Sequence, residues 1–345
     1  MNRRAELWRR AAELLEAGTP VVLATVAARR GSLPMAGDAK MLVADGRRIK
    51  GTVGGGCVEA DVITAALEAT ATGQPSIVKQ SLNADLAGDI GLSCGGTVEF
   101  LLEPLAPNST MVNLLRSVAD NVELRRSVTV VTGLEWDSAP KKAAKIGEEW
   151  VFGDGAGGSV DVSGVPARSD GKTWLDFEND RFVEWVNRIP RLVICGAGHV
   201  GAAIAKLAAE VGFYVVAIDD REEFANEDNV PDAHEILVSD PARLVEDVQI
   251  DQDDYVIAAT RGHRHDAVVI QQVAASPAAY VGMLGSRRKR EVVLKALRAD
   301  GVPEHGLQRV RTPIGLDIGA ETPEEIAVSV VAELIRVRRL DEAAE

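Results

Sequence analysis

The sequence predicts an α/β protein in which an N-terminal mixed α/β domain precedes a C-terminal domain with a parallel sheet. The chain has 345 residues, which is enough for two cores of ordinary domain size. An apolar strand, Leu192–Cys195, runs directly into the pattern G-x-G-x-x-G at Gly196, Gly198 and Gly201. From there strand and helix patterns alternate, which is typical of a Rossmann-like parallel sheet with helices on both faces.

The N-terminal domain is predicted to cover residues 1–175. Leu7, Ala11, Leu14 and Leu15 follow helical spacing and predict a helix over 5–17, which Gly18 and Pro20 end. The predicted elements that follow are strands at 21–26 and 41–43, a glycine-rich loop at 51–56, a helix over 58–71, strands near 76–80, 97–102 and 128–131, and a hairpin-like stretch over 150–162. Residues 176–190 are expected to form a linker.

The Rossmann-like domain is predicted to cover residues 191–345. Its expected strands lie at 191–195, 214–218, 235–238, 255–260 and 280–284, and the first helix is expected over 200–211. The last helix is predicted from a capping box, in which Thr322 caps the N-terminus and Glu325 reaches back to it.

Composition and charge argue against several classes of protein. Hydrophobic residues make up 46% of the chain, but no apolar run approaches the length of a membrane span, and the N-terminus lacks the apolar region of a secretory signal. A net charge of −14 disfavours sequence-independent nucleic-acid binding, which needs a cationic surface. Three cysteines without C-x-x-C spacing favour free thiols. We therefore expect a cytoplasmic protein that binds neither membranes nor nucleic acid.

The glycine pattern predicts a phosphate-binding turn. Gly196 allows the tight turn from strand to helix, Gly198 allows a pyrophosphate to approach the backbone, and Gly201 allows close packing of helix on strand. Asp219 ends the next strand, where a carboxylate suits the two ribose hydroxyls of an adenine nucleotide. NAD or another adenine nucleotide is thus a candidate ligand, and the alternative is a turn with an architectural role only.

Further candidates follow the strands of this domain at the sheet edge where ligands of open α/β sheets bind. Arg261 suits a phosphate group, and His263 could relay protons or hold a metal, although such histidines more often face solvent. Ser286 and Arg287 combine a helix N-terminus with a cation, or else belong to a solvated basic face. His199, within the fingerprint, could point to solvent.

Two cysteines lie in glycine-rich turns of the N-terminal domain. Gly54, Gly55, Gly56, Cys57 and Glu59 place one thiol at the start of a helix, where the helix dipole stabilises a thiolate. Cys94 and Gly95 belong to the second turn. Each cysteine alone could be a small core residue, but the two together, each in its own glycine cluster, favour a functional role. Cys195 ends an apolar strand and is expected to be a packing residue.

In their order and in their residues, these motifs resemble those of the XdhC/CoxI family of accessory proteins for molybdenum hydroxylases such as xanthine dehydrogenase. The matching runs are Gly31–Pro34, Ala39–Leu42, Gly51–Glu59, Gly91–Gly96, Gly196–His199, Asp219–Arg221, Gly282–Arg287 and Pro313–Asp317. The resemblance implies a two-domain protein that binds molybdenum cofactor (molybdopterin), assists its sulfuration with a cysteine desulfurase and inserts it into an apo-molybdenum hydroxylase.

Carried onto this sequence, the resemblance makes Cys57 and Cys94 candidate contacts for molybdenum and includes Arg221 among the cofactor-binding residues. It leaves NAD, another nucleotide and the pterin phosphate as ligands of the Rossmann loop. The role implied is a chaperone more than an independent enzyme, and a homodimer is expected on general grounds. The alternatives are an NAD-dependent oxidoreductase, which the absence of a Y-x-x-x-K pattern disfavours, and a nucleotide-sensing interaction module.

Overall fold

The computed structural model describes residues 3–31, 33, 35–82, 96–134, 136–153, 160–165, 173–186 and 188–341. The chain divides into two compact units, Met1–Arg188 and Ile189–Glu345. Within the described ranges, no helix is both long and apolar enough to cross a membrane.

The N-terminal unit begins with a helix and an antiparallel sheet of five strands. These elements are α1 (Arg3–Glu16), β1 (Val21–Gly31), β2 (Lys40–Ala44), β3 (Arg47–Gly51), α2 (Gly56–Thr72), β4 (Ser76–Leu82) and β5 (Gly96–Leu105). The strand order is β3-β2-β1-β5-β4. One face of the sheet packs on α2 through Val58, Val62, Ala66 and Ala69, the four residues at helical spacing that the sequence indicates.

A second antiparallel sheet of five strands follows in the same unit. Its elements are α3 (Ser109–Glu123), β6 (Val128–Gly133), β7 (Lys141–Ile146), β8 (Glu149–Phe152), β9 (Trp174–Asp176) and β10 (Arg181–Val186), and its strand order is β8-β7-β6-β10-β9. Leu101 of the first sheet and Phe182 of the second belong to one buried apolar cluster, so the two sheets pack against each other.

Two parts of this sheet differ from the sequence-based expectations. The stretch 176–190, expected to be a linker, contains β10, which pairs with β6 from Val186↔Val128 to Arg181↔Gly133. The expected hairpin over 150–162 begins with β8, but β8 pairs with the preceding strand β7. Both differences arise because charged residues interrupt these strands and hide their alternating pattern.

Charged residues lie between the two sheets of the N-terminal unit. Lys142 and Glu103 form an ion pair whose side chains are both 0% exposed. Thr132 donates to the same Glu103 oxygen at 2.7 Å and accepts from Lys142 at 2.7 Å. Burial alone raises the pKa of Glu103, but the charges of Lys142 and Lys40 hold it below its ordinary value. The carboxylate is therefore charged and depends on its cations.

The C-terminal unit is a parallel sheet of five strands with helices on both faces, as the sequence predicts. Its elements are β11 (Arg191–Cys195), α4 (His199–Glu210), β12 (Tyr214–Asp219), β13 (Glu235–Val238), a 3-10 turn (Pro241–Arg243), α5 (Leu244–Asp247), β14 (Asp254–Ala258), α6 (His263–Val273), β15 (Tyr280–Met283), α7 (Arg287–Ala299), α8 (Glu304–Arg309), α9 (Pro323–Arg336) and a π-helical turn (Val337–Asp341). All five strands are parallel, and the order β13-β12-β11-β14-β15 places the topological switch point between β11 and β14.

The predicted capping box of the last helix is confirmed. Thr322 accepts from the backbone N–H of Glu325, and the Glu325 side chain accepts from the N–H of Thr322. A parallel bridge between Gly282 and Arg311 adds a short segment beside β15.

Because the five strands of this sheet are parallel, their carboxyl ends lie at one edge of the sheet, and the glycine loop after β11 lies at the same edge.

Replacing Glu103 by Gln should destabilise the N-terminal unit by about 3–5 kcal/mol, because the ammonium of Lys142 would stay buried without a carboxylate. All five tryptophans precede residue 189, so tryptophan fluorescence during urea unfolding follows this unit. A double variant, Glu103→Leu with Lys142→Met, should recover most of the loss.

The matched control is Lys79→Met, which removes an exposed ion pair with Glu99 and should cost less than about 1 kcal/mol. If Glu103→Gln lowered the free energy of unfolding by an equally small amount, the buried pair would not be important for the stability of the N-terminal unit.

Candidate functional site

A cavity of about 570 Å³ in the N-terminal unit is the main candidate site. Its volume lies within the range of about 300–1,000 Å³ that is usual for small-molecule sites. The lining residues are Leu7, Trp8, Met35, Ala36, Asp38, Ala39, Lys40, Gly51, Thr52, Gly54, Gly55, Glu184, Trp185 and Val186. The cavity is therefore mainly apolar, with a glycine loop at its border and few charged groups.

Lys40 and Glu184 form an ion pair at this cavity. The Lys40 ammonium lies 2.7 Å from a Glu184 carboxylate oxygen, and the two side chains are 8% and 13% exposed. The same ammonium lies 4.4 Å from the centre of the Trp8 ring, a cation–π contact. The pair joins β2 of the first sheet to β10 of the second. Its charges are held in place by contacts on several sides, so little reorganisation is needed to present them to a ligand.

The predicted glycine loop borders the cavity and leads into α2 as expected. Gly54, Gly55 and Gly56 have φ values of 127°, 78° and 60°, which side chains other than glycine rarely adopt. A Cβ atom added at Gly55 or Gly56 would meet no described atom within 4 Å. Gly55 is the N-cap residue of α2, and no side chain of the described residues caps this helix end. The space beside the backbone is thus open to a ligand.

Cys57 lies in the first turn of α2 and is exposed, so it is not a core residue. The sequence predicts this position at a helix start, and the contact of the thiol with a ligand stays a prediction. Glu59 accepts a hydrogen bond from the Thr52 hydroxyl and lies 3.8 Å from Arg48, so it braces the loop. Cys94 and Gly95 lie outside the described residues, and the predicted second thiol loop therefore stays a prediction.

The three glycines of the Rossmann loop have different structural roles. A Cβ at Gly196 would lie 2.2 Å from the Ala259 carbonyl oxygen, and one at Gly201 would lie 1.9 Å from the Gly196 carbonyl oxygen. At Gly198 the φ value is −65°, and a Cβ would meet no atom of the described chain within 4 Å. Gly196 and Gly201 are needed for the fold, whereas the open side of Gly198 is available to a ligand.

Asp219 is engaged inside the protein. One of its oxygens accepts from the Ala197 N–H at 2.9 Å, and Arg221 donates to both oxygens at 2.9 and 3.1 Å. Burial raises the pKa of Asp219, but the bonds from Arg221 and Ala197 lower it by more, so the net shift is downward. The side chain is 3% exposed. The carboxylate expected to meet a ribose therefore holds the glycine loop in place.

The space next to Asp219 is small. Gly196, Thr260, Arg261 and His265 are among the residues that line a volume of about 10 Å³, close to what one water molecule needs. Arg221 lies over the Phe224 ring, with its guanidinium carbon 3.9 Å from the ring centre. In this conformation, a nucleotide ribose would have to displace Arg221 to reach the carboxylate.

The other predicted residues of this unit lie around the same sheet edge. Arg261 pairs with Asp220 at 2.7 Å, and His199 and Arg287 are exposed in the first turns of α4 and α7. Ser286 caps α7 by accepting from the Lys289 N–H, and His263 begins α6. The geometry places these residues at the predicted edge, and their roles in ligand binding stay predictions.

Cys195 is a buried packing residue, as the sequence predicts. It is 0% exposed within the apolar core of the C-terminal unit. Burial, followed by the nearby charge of Asp266, raises the pKa of its thiol to about 12. Asp266 is itself buried, accepts from the Thr260 hydroxyl at 2.7 Å and pairs with Lys289.

Sequence reasoning missed several residues of the cavity, above all Trp8, Glu184 and Trp185. One signal could have found Glu184, because Phe182 and Val186, two positions away on either side, are apolar and share its strand face. A single charge on an otherwise apolar face points inward and needs a buried partner. That partner, Lys40, lies 144 positions away in the sequence.

Two family models match the chain. A model described as "XdhC Rossmann domain" matches residues 192–334, and one described as "XdhC and CoxI family" matches residues 14–80. Both matches include residues described above, the first the Rossmann loop and the second Cys57 and the part of the cavity lining from Met35 to Gly55.

Three curated relatives align with nearly the whole chain. A probable xanthine dehydrogenase subunit of Bacillus subtilis is 29% identical over 94% of this chain and 96% of its own length. "Molybdenum cofactor insertion chaperone PaoD" of Escherichia coli is 26% identical over 95% of this chain and 86% of its own length. "Uncharacterized protein YqeB" of Escherichia coli is 29% identical, but the chain spans only 45% of its length.

A solved structure shares the fold. The crystal structure of a protein described as a xanthine dehydrogenase from Bacillus halodurans matches with a TM-score of 0.77 and 29% identity, and the match covers 96% of both chains.

The Gly198→Ala variant should leave the stability of the C-terminal unit unchanged. The Gly201→Ala variant should destabilise this unit, because only its Cβ clashes with a backbone atom, the carbonyl oxygen of Gly196. Hydrogen exchange measured by mass spectrometry over β11 and α4 would show the difference. Gly212→Ala, at a loop glycine with a φ of 88°, serves as a control for backbone strain without contact. Equal exchange in the Gly198 and Gly201 variants would contradict the assigned roles.

Iodoacetamide at mildly alkaline pH should alkylate Cys57 in the folded protein and leave Cys195 unmodified, because Cys57 is exposed and burial keeps the Cys195 thiol protonated. Peptide mass spectrometry resolves the two sites, and a denatured sample in which both react provides the control. Comparable rates at both cysteines in the folded protein would refute the prediction.

Proposed function

Since the chain belongs to the XdhC and CoxI family, we propose that it binds molybdenum cofactor and inserts it into a molybdenum hydroxylase such as xanthine dehydrogenase. The observation that carries the proposal is the exposed thiol of Cys57, which follows the glycine loop at the border of the N-terminal cavity. The names of the Bacillus subtilis relative and of PaoD support the same role.

The cavity and the thiol suit the two ends of this cargo. The organic part of the cofactor is a fused ring system with a flat pyrimidinone ring at one end, for which a mainly apolar cavity of about 570 Å³ offers room. Molybdenum in the cofactor is bound to sulfur and oxygen, so a soft thiol is a suitable neighbour. Cys57 lies at the N-terminal end of a helix of 17 residues, where the dipole favours an anionic ligand.

The residues of the chain would then bind and release the cofactor, and the protein would act as a chaperone that needs its partners. Cys57 would contact the molybdenum end during sulfuration by a cysteine desulfurase, and an apo-molybdenum hydroxylase would receive the product. The Rossmann loop would hold a phosphate at the open side of Gly198.

A Cys57→Ser variant should retain several-fold less molybdenum than the wild type when both are purified from cells that make the cofactor. The hydroxyl is a harder and less acidic group than the thiol, so it is a poorer partner for the metal. Elemental analysis by mass spectrometry measures the metal, and Thr64→Ser is the control because it is a small change at an exposed position further along α2.

Equal molybdenum in the Cys57→Ser variant and the wild type would refute the role of Cys57. The absence of molybdenum and of pterin from the wild type would refute the proposed function itself. Deleting the gene should leave a molybdenum hydroxylase expressed but short of active cofactor.

A further inference from the structure

Four charged side chains of alternating sign form one group between the sheets of the N-terminal unit. Glu103 and Lys142 are fully buried, and Lys40 and Glu184 lie at the cavity. The charge of Lys40 lowers the pKa of both buried partners, and Glu184 raises that of Lys142, so the two pairs interact. The four side chains therefore form one electrostatic group.

The outer pair has bonding capacity left for a ligand. A carboxylate accepts through two oxygens and an ammonium donates through three N–H groups. Their mutual contact, at 2.7 Å, uses one oxygen and one N–H. Because both residues line the cavity and keep some exposure, a ligand can accept from Lys40 and donate to Glu184 at the same time.

The walls of the cavity select the shape of that ligand. Besides the ion pair, the lining includes the large apolar or aromatic residues Leu7, Trp8, Met35, Trp185 and Val186. Trp8 already has a cation over its ring, and two tryptophans beside one ion pair favour a flat, polarised ring over an aliphatic chain.

We propose that Glu184 and Lys40 recognise an aminopyrimidinone edge, the part that a pterin shares with guanine. This edge presents a carbonyl oxygen next to a ring N–H and an exocyclic amino group. Lys40 donates to the carbonyl oxygen, and Glu184 accepts from the N–H groups. A simple anion bound to Lys40 would meet the like charge of Glu184, and a simple cation bound to Glu184 would meet that of Lys40.

This assignment rests on the proposed function for the choice of a pterin over guanine. It adds Lys40 and Glu184 as the residues that bind the pterin part of the cofactor, whereas Cys57 is proposed to contact the molybdenum.

The test is calorimetric titration of the full chain with 6-hydroxymethylpterin, which carries neither molybdenum nor phosphate. The comparison ligand is 6-hydroxymethyllumazine, in which a carbonyl replaces the amino group that Glu184 reads. We expect the pterin to bind and the lumazine to bind about tenfold more weakly or worse, because the carboxylate then meets an acceptor. Guanosine, which shares the edge, is the third ligand.

The matched variants are Glu184→Gln and Glu148→Gln. Glu184→Gln should weaken pterin binding about tenfold and remove the preference over lumazine, since an amide both donates and accepts. Glu148 pairs at 3.5 Å with Lys145 of the same sheet but is 95% exposed and outside the cavity, so its variant should bind like the wild type. Tryptophan fluorescence during unfolding checks that both variants fold.

Equal affinity for pterin and lumazine in the wild type overturns the proposal, and this comparison needs no variant. Binding of guanosine without pterin, or unchanged binding in Glu184→Gln, also overturns it. If the wild type carries molybdenum from cells but binds no pterin, only this inference fails. If it binds the pterin through Glu184 but never carries molybdenum, the proposed function fails and the cavity assignment stands.

Discussion

The two ion pairs between the antiparallel sheets are the constraint on which the N-terminal unit depends. Removing a charge from water costs several kcal/mol in a protein interior, so each of these four groups must find its partner when the unit folds. The pairs Glu103–Lys142 and Lys40–Glu184 each join one sheet to the other. A slip of one of these strands by one residue within its sheet would turn its side chains to the opposite face and leave the charges unpaired. The pairs thus fix the register of the sandwich and place one of them at a cavity.

The cavity depends on glycine as well as on charge. Gly51 has a φ of 75°, and a Cβ there would lie 2.2 Å from the carbonyl oxygen of Lys40. Only glycine therefore allows the loop before α2 to run so close to β2. This approach brings the glycine-rich run Gly51–Gly56 beside the ion pair and sets Cys57 at its far end. The glycine backbone therefore places the Cys57 thiol and the open side of the glycine run on one segment of the chain. The buried charges place the Lys40–Glu184 pair at the cavity that this segment borders.

The sequence predicted the C-terminal unit far better than the N-terminal one. Parallel strands buried on both faces are short apolar runs, and the strand predicted at 191–195 has the bounds that the structure shows. The start of α2 and the exposed position of Cys57 were also predictable from the glycine loop. Glu184 was not, because a charge within a strand resembles a surface residue until its partner is known. That partner comes from a distant strand, and no local pattern contains this information.

The Rossmann fingerprint is explained largely by packing. Gly196 and Gly201 are required by close backbone contacts, and Asp219 holds the loop through the Ala197 N–H while pairing with Arg221. A ligand that needs the ribose-binding carboxylate must first replace a bidentate ion pair, which is among the strongest of polar contacts. A ligand that needs only a phosphate site does not, because the start of α4 and the open side of Gly198 are unaffected by that pair. In this conformation the side of Gly198 is open, whereas the carboxylate that a whole adenine nucleotide would need is engaged with Arg221.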